Sequence, residues 1–131
     1  MEWLNNNSML LAQKTLDVTW TKQKLALDNI ANVDTPGYKA KYALFEDELR
    51  SKLKDFESRS DRVKTNDVRD AIKGSMIQIR QSNEESIRMD GNNVNLDVEE
   101  LEIARNTYQY QFALRQISDE FTRLRTAIEG R

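Results

Sequence analysis

From residue 96 to residue 128, apolar side chains return every seven positions. Leu96, Ile103, Tyr110, Ile117 and Leu124 make one row, and Leu114, Phe121 and Ile128 make a second row four residues on. This heptad pattern belongs to a helix that packs lengthwise on another helix, although Glu100 and Thr107 interrupt the second row early. Over the first half a further face appears: Leu101, Ala104, Tyr108 and Phe112. Asp97 is the expected N-cap, with Glu100 completing a capping-box-like arrangement. Glu99, Glu100 and Glu102 then sit at the positive end of the helix dipole, and Arg115, Arg123 and Arg125 toward its negative end. Gly130 ends the pattern. A helix over 97–128 would be about 48 Å long at 1.5 Å per residue.

A second helical pattern occupies residues 9–31. Met9, Ala12, Leu16, Trp20, Leu27 and Ile30 form one stripe, with Gln23 its polar member. Leu4, Leu11, Val18 and Leu25 repeat every seven residues on nearly the opposite side. Residues 1–8 read as a polar lead-in apart from Trp3 and Leu4, with Ser8 a candidate N-cap. A lone surface helix needs one apolar stripe. Two opposed stripes on each of two helices exceed what their mutual contact can hide. The chain has little left to cover the second stripe of the first helix, so the surplus is expected to be buried against other subunits.

Composition narrows the remaining choices. With 131 residues the chain is one domain at most, expected as residues 1–42, 43–95 and 96–131 in sequence. Apolar residues are 38% and charged residues 32%, a thin supply of core. A formal charge of −2 gives no reason to expect nucleic acid or an anionic membrane as partner. The absence of cysteine and histidine removes thiol chemistry and the commonest general base and metal ligand. The carboxylates are dispersed, and Asp90-Gly91-Asn92-Asn93 lacks the rest of a calcium-loop ligand set. Nothing marks a serine or threonine as activated by a base and an orienting group, and no glycine-rich phosphate loop exists. Catalysis, cofactors and a small-molecule substrate are therefore not expected. No apolar run is long enough to span a membrane, and no cleavable signal is visible.

Between the two helical patterns the chain turns and then becomes polar. Pro36-Gly37 reads as a turn, proline pre-setting φ and glycine supplying φ > 0, and Tyr38-Lys39-Ala40-Lys41-Tyr42 looks extended or irregular. Residues 43–56 suggest a short amphipathic helix with Phe45, Leu49, Leu53 and Phe56 on one face and Glu48 and Lys52 paired along it. From 46 to 70, 15 of 25 residues are charged, and 57–96 holds no aromatic residue. Met76, Ile77 and Ile79, with Ile87 and Met89, could supply a short hairpin. Otherwise 57–95 is expected to be a polar excursion with too little apolar area to order itself. Asp90-Gly91 marks a second turn.

Asn29-Ile30-Ala31-Asn32 followed by Asp34-Thr35-Pro36-Gly37-Tyr38-Lys39 resembles the N-terminal signature of the bacterial flagellar axial proteins of rod and hook. The run from Asp90 to Asp97 before the last helix resembles short, proximal-rod members of that family. The likeness covers roughly residues 1–50 and 88–131. It implies a mainly α fold in which the two long terminal helices pair as an antiparallel coiled coil, with a short helix and a largely irregular or short β-hairpin middle segment. It implies a non-enzymatic structural subunit that polymerises around an export channel and transmits torque. It further implies export without a cleavable signal and a place in the basal body, in the periplasm or cell-wall space. The implied partners are copies of itself, FlgC-type rod subunits, the rod–ring adaptor FliE, the membrane ring and the export gate. Phe45 and Leu49 resemble the element by which early subunits engage that gate. The signature positions Asn29, Ile30, Asn32, Thr35, Pro36, Gly37 and Tyr38 are expected to set the chain's exit from the tube. Leu11, Val18, Leu25, Ile30, Ile103, Tyr110, Leu114, Ile117, Phe121 and Leu124 are expected at the assembly interface. A soluble coiled-coil adaptor that forms no filament would explain the heptads equally well.

Overall fold

Asn6 rather than Ser8 caps the first helix. Its side chain accepts from the Ser8 N–H at 3.1 Å, and its extended backbone (φ −67°, ψ 132°) leads into α1, Asn7–Ala31. The computed structural model describes residues 6–59, 62–86 and 88–130. Trp3, Leu4 and Ile87 lie outside them.

After α1 the chain forms β1 (Lys41–Leu44), α2 (Glu46–Arg59), α3 (Thr65–Gly74), β2 (Gln78–Gln81) and α4 (Leu96–Glu129). Thus the fold is mainly helical, with a long helix near each end and a small two-stranded antiparallel sheet between them. α1 packs along α4 on one side and against β1 and α3 on the other. The α1–α4 pairing is antiparallel. Leu25 and Ala26, late in α1, share a cleft with Glu99 and Glu102 near the start of α4, while Thr19 and Trp20 share one with Tyr110 and Leu114.

The described residues of 57–95 hold more regular structure than their composition suggests. α3 was not legible as a helix, yet its Ala71 and Ile72 are buried. Its Lys64 N–H donates to the Asp67 carboxylate at 2.8 Å, an acidic residue answering the first free amides of the helix. Among the described residues Arg88 and Met89 form no strand, so they do not supply the hairpin partner that 76–79 could have had. β2 instead pairs with β1, Lys41 opposite Gln81 and Leu44 opposite Gln78. The extended stretch after the signature turn is thereby given a partner, because its backbone groups need one.

This second layer alters the expectation for α1. Val18 and Leu25 were assigned to an interface with other subunits, but both are buried in the chain's own core, with Ala43, Phe45, Ala71 and Ile72 among the other buried apolar residues. α3 and β1 supply the cover that the sequence appeared to lack. Phe45 precedes α2 instead of lying within it and is 3% exposed, while Leu49, Leu53 and Phe56 are half-buried.

The cap of α4 also moves. Asn95 takes the place expected of Asp97, its side chain accepting from the Asp97 N–H at 3.1 Å and the Val98 N–H at 3.5 Å. The helix starts two residues sooner, and Glu100 no longer completes a capping box. Gly130, at φ 66°, closes the other end in the left-handed region, its N–H donating to the Thr126 carbonyl.

The rows of α4 divide unexpectedly. Glu99, Asn106 and Ala113, seven apart, are its buried residues. Ile103, Ile117 and Leu124 flank that row half-buried, whereas Leu114, Phe121 and Ile128 are exposed. The sequence placed those last three in the seam. α1 offers a matching small row, Ala12, Thr19 and Ala26, all buried. The two rows meet, Thr19 and Asn106 lining one cleft and Ala26 and Glu99 another. Hydrophobicity alone does not select the buried row, since two of its three α4 members are polar.

Candidate assembly site

The signature turn and the Asp90–Asn95 run, distant in sequence, are built into one polar junction. Thr35-Pro36-Gly37-Tyr38 is a tight turn closed by the Tyr38 N–H to the Thr35 carbonyl at 3.2 Å, with Gly37 at φ 73°. Its position is set from the opposite end of the chain. Asn92 is 1% exposed, and its Nδ2 donates to the carbonyls of both Asn32 and Thr35 at 2.9 Å. Its Oδ1 accepts from the Val94 N–H at 2.8 Å. Arg88 reaches the Val33 carbonyl at 2.8 Å and is held by Asp90 at 2.8 Å. Asn93 accepts from the Ala40 N–H at 2.7 Å and donates to the Glu84 carbonyl at 3.1 Å.

Asn29 does the same work from within α1. Its Nδ2 donates to the Lys41 carbonyl at 2.9 Å. Its Oδ1 accepts from the Lys41 N–H at 2.9 Å and from the Tyr38 hydroxyl at 3.2 Å. One carboxamide therefore mimics a strand partner for β1 and anchors the tyrosine. Asn32 caps the helix, donating to the Asp28 carbonyl at 2.8 Å and accepting from the Thr35 hydroxyl at 3.1 Å. Carboxamides suit such a junction because each supplies donors and an acceptor without charge. Burial, with Asp28 and Glu99 nearby, pushes the Tyr38 hydroxyl up from its ordinary value. Burial likewise raises the Glu99 carboxyl against the opposing hydrogen bond from Asn29, and neighbouring Glu102 adds to the rise.

The structure thus brings together Asn29, Asn32, Thr35, Gly37 and Tyr38. Pro36 is exposed in the turn, and Ile30 is half-buried on α1. Sequence reading missed Arg88, Asn92 and Asn93 as their partners. The available signal was the density of asparagine beside Asp90-Gly91, since such residues bond local backbone in turns.

Beside this junction lies the outer surface of the helix pair. Leu11, Tyr110, Leu114 and Phe121, from the expected interface set, are exposed there. Trp20, Leu27, Leu101, Tyr108, Phe112 and Ile128 are exposed as well. α4 has 34 residues against 25 in α1, so it outruns its partner by about 13 Å at 1.5 Å per residue. Among the described residues no helix is long and apolar enough to cross a membrane. Exposed apolar side chains in such number are what contact surfaces carry.

No protein-family model matches the chain. Individual relatives do. The flagellar basal body rod protein FlgB of Bacillus subtilis (strain 168) is 36% identical over 113 residues, 83% of each chain. FlgB of Buchnera aphidicola is 31% identical over 121 residues, 90% of this chain and 91% of that one. FlgB of Escherichia coli K12 is 26% identical over 124 residues, 90% of each. Identity above 30% across more than four-fifths of the chain shows that it belongs to the FlgB family of flagellar basal body rod proteins.

Proposed function

We propose that this chain polymerises as a structural subunit of the proximal rod, forming part of a tubular drive shaft around the export channel and carrying torque along it. As a FlgB-family protein it is a component of the flagellar basal-body rod and not an enzyme. The observation that carries the proposal is the exposure of two apolar faces of α4, Leu101, Tyr108 and Phe112 on one and Leu114, Phe121 and Ile128 on another. A shaft whose subunits interlock through such rows resists twisting, because sliding would return apolar surface to water. Its neighbours in this reading are copies of itself, FlgC-type rod subunits and the adaptor FliE, with the membrane ring and export gate below. The chain would leave the cell unfolded and fold where it polymerises, in the periplasm or cell-wall space. In that reading Phe45 and Leu49 meet the gate before folding, since Phe45 is buried afterward.

Hydroxyl-radical labelling tests the proposal. Tyr108, Phe112 and Phe121 should label readily in the isolated chain and be protected in purified basal bodies. Equal labelling in both, or full protection already in a small soluble oligomer, would replace the rod reading with that of a soluble adaptor.

A further inference from the structure

The small sheet has an open edge. β1 lies along one side of β2, and no strand among the described residues lies along the other. The Ser82 N–H donates to the Ala40 carbonyl at 2.7 Å, whereas the N–H and carbonyl of Lys41 turn away from β2 to the Asn29 side chain. Backbone direction alternates along an antiparallel ladder, so Gln78 and Arg80 face β1 while Ile79 and Gln81 face outward. Residues 82–86 run on from β2 without a bend. They keep the alternation, because the Glu84 carbonyl accepts from Asn93, which also binds Ala40 on the β1 side. Asn83 and Glu85 are left facing outward. Among the described residues no hydrogen bond answers the outward backbone groups of Ile79, Gln81, Asn83 and Glu85. Such an edge is a template for another strand.

The charges on this edge are complementary to themselves. Arg80 and Glu84 stand symmetrically on either side of Ser82, and both are exposed. Neither holds an ion pair among the described residues, and Arg80 reaches Gln78 Oε1 at 3.4 Å. Let two copies of residues 78–86 lie antiparallel with Ser82 opposite Ser82. Arg80 of each then meets Glu84 of the other. In the same register Ile79 meets Glu85 and Gln81 meets Asn83, so outward backbone groups oppose outward backbone groups. A slip of one residue would set outward groups against inward ones. Centring the pair on Arg80 or on Glu84 would set like charges face to face.

The geometry points to a second copy of this chain as the strand that covers the edge, paired antiparallel about Ser82 with Arg80 and Glu84 joined reciprocally. The contact is two-fold, so it closes on a pair and does not propagate. It goes beyond the rod reading and belongs to the chain outside the shaft. It uses none of the exposed apolar residues of α4.

Sedimentation equilibrium and thermal melting of the full chain test the contact. The wild-type chain should form dimers. Arg80→Glu should weaken them about tenfold, since it turns both cross-strand pairs into like-charge pairs. It should leave the melting temperature unchanged, because Arg80 is exposed. Combining Arg80→Glu with Glu84→Arg should restore association to within about twofold of wild type. A dimer indifferent to Arg80→Glu, or one that the double variant fails to restore, overturns the contact. A dimer that Phe112→Ala abolishes would lie on α4 and overturns it too. So does a wild-type chain that stays monomeric at every concentration. None of these results touches the rod reading, which falls instead if the wild-type chain is absent from purified basal bodies.

Discussion

The backbone N–H of Gly37 donates to the carbonyl of Asp90 at 2.7 Å, joining the two turns of the chain across the polar junction. Gly91 stands close behind, so that a Cβ there would come within 3.6 Å of the Gly37 Cα. The two turns meet back to back, each with its glycine in the left-handed region.

Gly37→Val should therefore act through backbone conformation alone. A Cβ at Gly37 meets nothing within 4 Å, but φ is 73°. Left-handed backbone costs an ordinary residue roughly 1–2 kcal/mol, and a β-branched one at least that. A urea melt should show the loss, Gly37→Asn should show less of it, and rod assembly should fail in the valine variant. Normal swimming in Gly37→Val cells would sink this expectation.

Asn92→Ala should cost more than its size suggests. It strips the Asn32 and Thr35 carbonyls of a donor and the Val94 N–H of its acceptor. Leaving such groups unpaired predicts a loss of about 2–4 kcal/mol in a denaturant melt. Asn92→Asp should be comparably damaging, because the aspartate keeps the acceptor but loses both donors. A melt of Asn92→Asp superimposable on wild type would refute this account of the junction.

Two carboxyls should give the acid limb of stability opposing slopes. Burial raises Glu99 above its ordinary 4.5. Its protonation favours the folded chain, so that contribution is present below about pH 4.5 and is lost as pH rises through the elevated native value. Burial pushes Glu46 up as well, but the hydrogen bond from Lys22 at 2.7 Å, backbone N–H groups and the ammonium's charge outweigh it and hold the carboxyl low. Its contribution is present above about pH 4.5 and is lost as pH falls through the depressed native value. The Glu46 side chain is largely solvated, so the pair contributes no more than about 1 kcal/mol. Glu99→Gln should remove the decline in stability above pH 4.5, and Glu46→Gln should flatten the loss below it. Urea melts between about pH 3 and 7 separate the two, and an unchanged profile in Glu99→Gln would contradict the first assignment.

Phe45 and Phe121 make a contrasting pair. Phe45 is 3% exposed and Phe121 is 53% exposed. Phe45→Ala should destabilise the isolated chain by about 3–5 kcal/mol. Phe121→Ala should stay within about 0.5 kcal/mol in the same melt yet impair motility. Equal melts for the two variants would remove the distinction between core and contact surface.

The two long helices were legible because their periodicity extends over many turns. The turn at Pro36-Gly37 was legible because few residue types accept its backbone angles. α3 was not: Val68, Ala71 and Ile72 are too few among charged neighbours to announce a helix, and Ala71 and Ile72 gain their burial only once α3 packs on α1 and α2. The junction was half legible. Each asparagine-rich segment signalled a turn, but nothing local says that Asn92 reaches Asn32 and Thr35.

By itself the sequence determined which stretches are long helices, where the chain turns, and that both helices carry more apolar rows than one partner can cover. Those properties follow from spacing and from local backbone preference. Only the tertiary structure decided which row is buried. It placed the row of Glu99, Asn106 and Ala113 toward Ala12, Thr19 and Ala26, buried Val18 and Leu25 in the chain's own core, and left Leu114, Phe121 and Ile128 exposed. Periodicity finds rows but does not rank them; the packing of one element on another does, because a side chain is buried only where its neighbours close around it.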